Sequence, residues 1–137
     1  PIPQATLDLI ARMPDLPPEQ ALRAAVDNAL GSLAGERHDD LVGRIVAHRL
    51  ASPQDPAGWQ AQAHAGTTHA LGAGVAAIAC PVLVLHGDAD AVVDVRNAEV
   101  LGELLPEATV RRVARGGHLW FWEDPDRFVD EVVAFLG

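Results

Sequence analysis

The stretch Cys80-Pro81-Val82-Leu83-Val84-Leu85-His86-Gly87-Asp88-Ala89-Asp90 constrains this chain more than any other. Val82 to Leu85 is an unbroken apolar run without polar alternation. That pattern suits a strand covered on both faces, as in a parallel sheet packed between helices. Pro81 has no N–H to give a central ladder and so belongs at the strand's entry. Gly87 permits a sharp turn, and Asp88 and Asp90 stand just past the carboxyl end. Ligands of open α/β sheets bind at that rim, so the acid pair stands where chemistry is done.

Alternating helix and strand patterns follow. Val95 to Leu105 has helical spacing and stops before Pro106, and Thr109 to Ala114 reads as a short strand. Gly116-Gly117-His118 comes next. Asp124-Pro125 then supplies an N-cap and a first-turn proline for a last helix reaching Leu136, with Phe128, Val129, Val132, Val133 and Leu136 inward. Strand–helix–strand–helix with these loop lengths predicts a parallel pair joined by a right-handed crossover.

The residues before Ile78 read as an all-helical layer. A brief helix fits between Thr6 and Met13. Pro17-Pro18-Glu19 opens a stronger one that buries Ala21, Leu22, Ala25, Val26, Ala29 and Leu30 and ends at Gly31. A third runs from about His38 to Leu50, with Asp39 and Asp40 at its start and Arg49 at its end, as the helix dipole favours. A fourth runs from Asp55 to about His64, where Gly66-Thr67-Thr68 interrupts it.

Length and composition set bounds. The 137 residues are the size of one domain, and nearly half are apolar, so the chain should fold. A net charge of -9, with scattered Arg and no Lys, argues against nucleic acid and anionic membranes as partners. No apolar run is long enough to span a bilayer. Cys80 is the one cysteine, which points to a reducing, cytoplasmic setting. The opening Pro-Ile-Pro is read as the start of one piece of a longer polypeptide.

Parallel neighbours place their carboxyl ends on one rim, so Asp90 and His118 can meet although 28 positions separate them. A carboxylate bonded to one ring nitrogen fixes the tautomer and stabilises the imidazolium, leaving the other nitrogen free as a general base. The two glycines before His118 let its backbone turn tightly and approach a substrate. Asp88 is the rival acid, and Asp94 reads as a helix cap. His38, His48, His64, His69 and His86 read as structural. His64 and His69 are five apart across a glycine, a poor metal spacing, and no metal is implied. His86 either lines the site or is a satisfied rim histidine. Trp120, Phe121 and Trp122 either wall an apolar pocket or pack the last helix. Trp59 is a second candidate for substrate contact.

Ile78 to Asp90 resembles the seventh-strand and acid-loop segment of the α/β-hydrolase fold superfamily. Gly116 to Pro125, with Phe128, Val133 and Phe135-Leu136 behind it, resembles that superfamily's histidine loop and final helix. Small bacterial esterases, enol-lactonases and cofactor-free haloperoxidase-like members are nearest in texture. The resemblance implies an α/β fold represented by its C-terminal part: residues 1–77 as a helical cap, residues 78–137 as core. It makes Asp90 the triad acid, as fourth residue of a Gly-x-x-Asp turn, and His118 the base. It implies no cofactor and a small-molecule substrate, an ester, lactone or related carbonyl compound. A homo-oligomer is left open.

One component of that pattern is missing. The superfamily's nucleophile sits on a Gly-x-Ser-x-Gly turn and precedes the acid. Ser32 and Ser52 are the only serines, and neither has flanking glycines or a preceding buried strand. Cys80 precedes a strand instead of following one. The nucleophile, the oxyanion donors and most of the sheet are therefore expected in an N-terminal half of the same fold. By itself the segment should not turn over substrate, and its first strand should present an unpaired edge. Two alternatives stay open. One is another reaction on this scaffold, such as acyl transfer, perhydrolysis or dehalogenation with an Asp nucleophile. The other is a non-catalytic interaction domain.

Overall fold

The chain's structure is a computed structural model describing residues 2–53, 55–68 and 73–137. Four helices come first: α1 (Gln4–Arg12), α2 (Pro18–Ala29), α3 (His38–Ala51) and α4 (Pro56–Thr68). The second part holds β1 (Val82–Gly87), α5 (Arg96–Leu104), β2 (Ala108–Val113), α6 (Trp120–Glu123) and α7 (Pro125–Leu136). Single 3₁₀ turns at Met13–Asp15, Gly35–Arg37 and Ala73–Ala77 bend the connections. Among the described residues no helix is long and apolar enough to cross a membrane.

The helical part closes on itself. Leu41, Val42, Ile45 and Val46 form the buried stripe of α3 and pack against Val26, Leu30 and Ala34 from α2 and the turn after it. Val42 and Val26 are excluded from solvent almost entirely. Leu22 and Leu119 cover the edge of this cluster, so the histidine loop helps to seal the helical core. Helix α4 departs from expectation, continuing through Gly66 to Thr68. One glycine costs a helix only about 1 kcal/mol relative to alanine, too little to stop it.

In the second part, β1 and β2 pair in parallel, with Val82 opposite Ala108 and Gly87 opposite Val113. Helix α5 connects them, and Asp94 Oδ1 accepts the Arg96 N–H at its start (2.9 Å). Asp124 caps α7 by accepting the Arg127 N–H (3.2 Å). Two expectations fail here. Val82 to Leu85 is only half-buried, and α7 buries none of its stripe: Val133 is 60% and Leu136 75% exposed. Both have one cause. A two-stranded sheet offers too little surface to cover an amphipathic helix and both faces of its own strands.

Candidate active site

The parallel register aligns the carboxyl ends of β1 and β2, and backbone bonds then stack the loops that leave them. The Asp88 N–H reaches the Val113 carbonyl and the Ala89 N–H reaches that of Gly116, each at 3.0 Å. This stacking needs glycine. A Cβ on Gly87 would stand 2.1 Å from the Gly116 oxygen, and one on Gly31 would stand 2.5 Å from the Gly117 nitrogen. A Cβ on Gly117 would stand 2.3 Å from the Gly31 nitrogen and one on Gly116 2.9 Å from Trp120 Cβ, so both glycines serve close packing besides the tight turn and substrate approach read for them from the sequence. Gly31, read as a helix stop, owes its identity to the same contact.

His118 leaves this stack with its Nδ1 3.0 Å from Asp90 Oδ2. An ionised carboxylate only accepts, so Nδ1 carries the proton and donates it. The opposite nitrogen, Nε2, makes no hydrogen bond among the described residues. Asp90 is held from its other side, where Oδ1 accepts the N–H groups of Val92 and Val93, both at 2.8 Å. Its side chain is 4% exposed, whereas that of His118 is 41% exposed. Burial pushes the Asp90 carboxyl up. The bond from His118, the Val93 and Val92 N–H groups and the charge of the imidazolium outweigh it and hold the group below the ordinary carboxylate range. A carboxylate kept ionised beside an imidazole with a free outer nitrogen is equipped to support proton abstraction.

His118 lies between two hollows. One, of about 230 Å³, is bordered by the β1 rim together with Trp120, Phe121 and Phe128. The other, of about 420 Å³, is walled by Leu9, Ile10, Met13 and Val26 from the helices and by Leu119, with Asn28 and Arg49 as polar points. Trp120 is buried and meets Phe128 edge to face at 5.6 Å, so it packs against α7 while bordering the smaller hollow. Trp59 belongs to α4, but its side chain lies outside the described residues, as does His69. Asp88 does not compete for His118. It is exposed, and its Oδ1 accepts the N–H of Arg115, whose φ of 64° marks the turn out of β2.

Two further residues join the site. His86 Nε2 lies 3.1 Å from Asp90 Oδ2, the same oxygen that receives His118. Glu123 is wholly buried: its Oε2 accepts the N–H groups of Gly31 and Gly117, and its Oε1 that of Leu33, all at 3.0 Å. It therefore fastens the histidine loop to the turn after α2. Its signal in the sequence is an acid closing the apolar run Leu119-Trp120-Phe121-Trp122. The acid loop has its own tie, from Thr6, whose hydroxyl donates to the Ala91 carbonyl and accepts from Asn28 Nδ2 (2.9 Å).

Neither serine hydroxyl bonds to His118 among the described residues. Ser32 is exposed and its N–H reaches the Arg115 carbonyl (2.9 Å). No cluster of His, Cys, Asp and Glu among the described residues could hold a metal ion.

Comparison with known proteins bears on the fold. A family model described as alpha/beta hydrolase fold matches residues 11–125. No curated protein matches significantly. A solved structure described as "Est816 as an N-Acyl homoserine lactone degrading enzyme" is similar, with a TM-score of 0.68 and 20% sequence identity. The match covers 93% of this chain and 51% of that one, so the chain spans about half the length of its structural neighbour.

Proposed function

The chain belongs to the alpha/beta hydrolase fold family, and we propose that it supplies the acid and the base of a serine-type hydrolase acting on a small ester, lactone or related carbonyl compound. The observation that carries this reading is the Asp90–His118 pair, bonded at 3.0 Å, with Nε2 of His118 left for a substrate-side proton. In this mechanism a nucleophilic hydroxyl attacks the carbonyl carbon while His118 Nε2 takes its proton. Asp90 orients the ring and stabilises the imidazolium, and His118 then returns the proton to the leaving oxygen. The description of the structural neighbour favours a lactone, and the apolar hollow between the helices and His118 favours an acyl chain. Residues 1–77 then act as the cap over the pocket, with Trp59 and Trp120 as contacts to substrate.

The nucleophile and the oxyanion donors come, in this reading, from an N-terminal half of the same fold. The open stripe of α7 and the half-buried face of β1 support it, because both are apolar surfaces suited to further strands and helices. Alone, this segment is expected to be inactive.

The test is turnover of an activated ester and of an N-acyl homoserine lactone by the enzyme that contains this chain. His118→Ala should abolish both activities, and Asp90→Asn should lower kcat by about 10⁴, the loss seen when a triad acid is neutralised. Near-native rates in either variant remove that residue from the mechanism.

A further inference from the structure

His86 occupies the last side-chain position of β1 before Gly87, and its imidazole is turned inward, 14% exposed. Its Nε2 faces two oxygens, Asp90 Oδ2 at 3.1 Å and the Val93 carbonyl at 3.0 Å. A carbonyl cannot donate, so Nε2 carries a proton and gives it to Val93, while Asp90 Oδ2 lies close beside that bond without receiving one. His86 is thus committed as a donor and is no spare base. Its acceptor belongs to the turn that cradles the carboxylate, since the Val93 N–H also donates to Asp90 Oδ1. The bond from His86 closes the loop from Gly87 to Val93 around Asp90. The oxygen that His86 contacts is the one that receives His118.

We propose that His86 is a positioning residue for the acid–base pair: its Nε2–H holds the Val93 carbonyl, and with it the turn whose N–H groups fix Asp90 at the point where His118 Nδ1–H must find it. The inference rests on reading Asp90 and His118 as the acid and base. It adds a third side chain, from the strand itself, that acts on the base only through the acid. A rigid strand makes a better support than the loop it steadies.

Two substitutions separate the donor from the ring that carries it. His86→Phe keeps the ring volume and removes the donor, whereas His86→Gln keeps an N–H donor at comparable reach and removes the ring. The readout is the Nδ1–H proton of His118, observed by NMR in the 137-residue chain through its exchange with water. In the native chain the bond to Asp90 should protect it. His86→Phe should reduce that protection by about tenfold or more, the scale of one hydrogen bond to a charged group, and His86→Gln should restore it. If Phe does not fit and the chain fails to fold, His86→Leu removes the donor without added bulk and should give the same loss. Native protection in the Phe or Leu variant, or its loss in the Gln variant, overturns the assignment. A native chain with no protected Nδ1–H sinks the Asp90–His118 reading as well, so the two failures are distinguishable.

Discussion

The helices of residues 4–51 and the strand-containing segment from Val82 onward solve opposite problems. Of these helices, α2 and α3 bury their apolar faces within the chain, through Val26, Leu41, Val42, Ile45 and Val46. The second segment brings the reactive side chains together yet leaves Val129, Val133 and Leu136 open to solvent. The buried core is thus concentrated away from the proposed acid–base pair, which stands on a sheet of two strands among the described residues. What joins them is polar and specific. Glu123 ties Gly31 and Leu33 to Gly117, and Thr6 ties α1 to Ala91 beside Asp90. Both ties end within one residue of a member of the acid–base pair, so the helical part is a support for both reactive loops.

The largest expected effect tests the contrast in burial. Ile45→Ala empties part of the closed core and should cost about 2–5 kcal/mol. Val133→Ala lies on the open stripe of α7 and should change stability by less than about 0.5 kcal/mol. Urea unfolding of both variants decides it. Equal losses would mean that the stripe is covered in solution, for instance by a second copy of the chain.

A middle-sized effect concerns the joint between the segments. Among the described residues no cation meets the Glu123 carboxylate, and three backbone N–H groups offset its burial. Glu123→Gln offers one accepting oxygen and turns an NH₂ group toward a backbone donor. One buried N–H is left unsatisfied, at a cost of about 1–3 kcal/mol. Hydrogen exchange should quicken first at Gly31, Leu33 and Gly117 and leave Val42 slow. Uniform acceleration across α3 would show that the two segments unfold as one unit.

The sequence exposed the pairing of Asp90 with His118 because each depends on local signals, a strand end and a glycine turn. It exposed the helices through apolar spacing and charge at their ends. The supports of the site were harder to see. Glu123 and Gly31 lie 92 positions apart, and nothing local indicates that the glycine must clear a backbone nitrogen. His86 looks like a strand residue until the turn at Val93 folds back on it. The same locality explains the error on α7, whose stripe was rightly recognised as apolar. Amphipathicity specifies which face seeks cover, but the two strands among the described residues are too few to provide it.

The smallest expected effect sharpens the comparison from the side of the site. Asp90 titrates below the ordinary carboxylate range in the folded chain, so between its folded and unfolded pKa values the unfolded state binds more protons. Its contribution to stability is therefore complete above the unfolded value, near 4, and is lost as pH falls through the lower, folded one. Asp90→Asn should remove this limb from the acid side of the stability curve, whatever it does to stability at neutral pH. His118→Ala should weaken the limb without abolishing it. It takes away the strongest lowering influence on Asp90 but leaves the Val92 and Val93 N–H groups in place. Urea unfolding between pH 2 and pH 7 measures both differences. An acid limb unchanged in Asp90→Asn would assign the pH dependence to other carboxylates and separate the ionisation of the site from the folding of the chain.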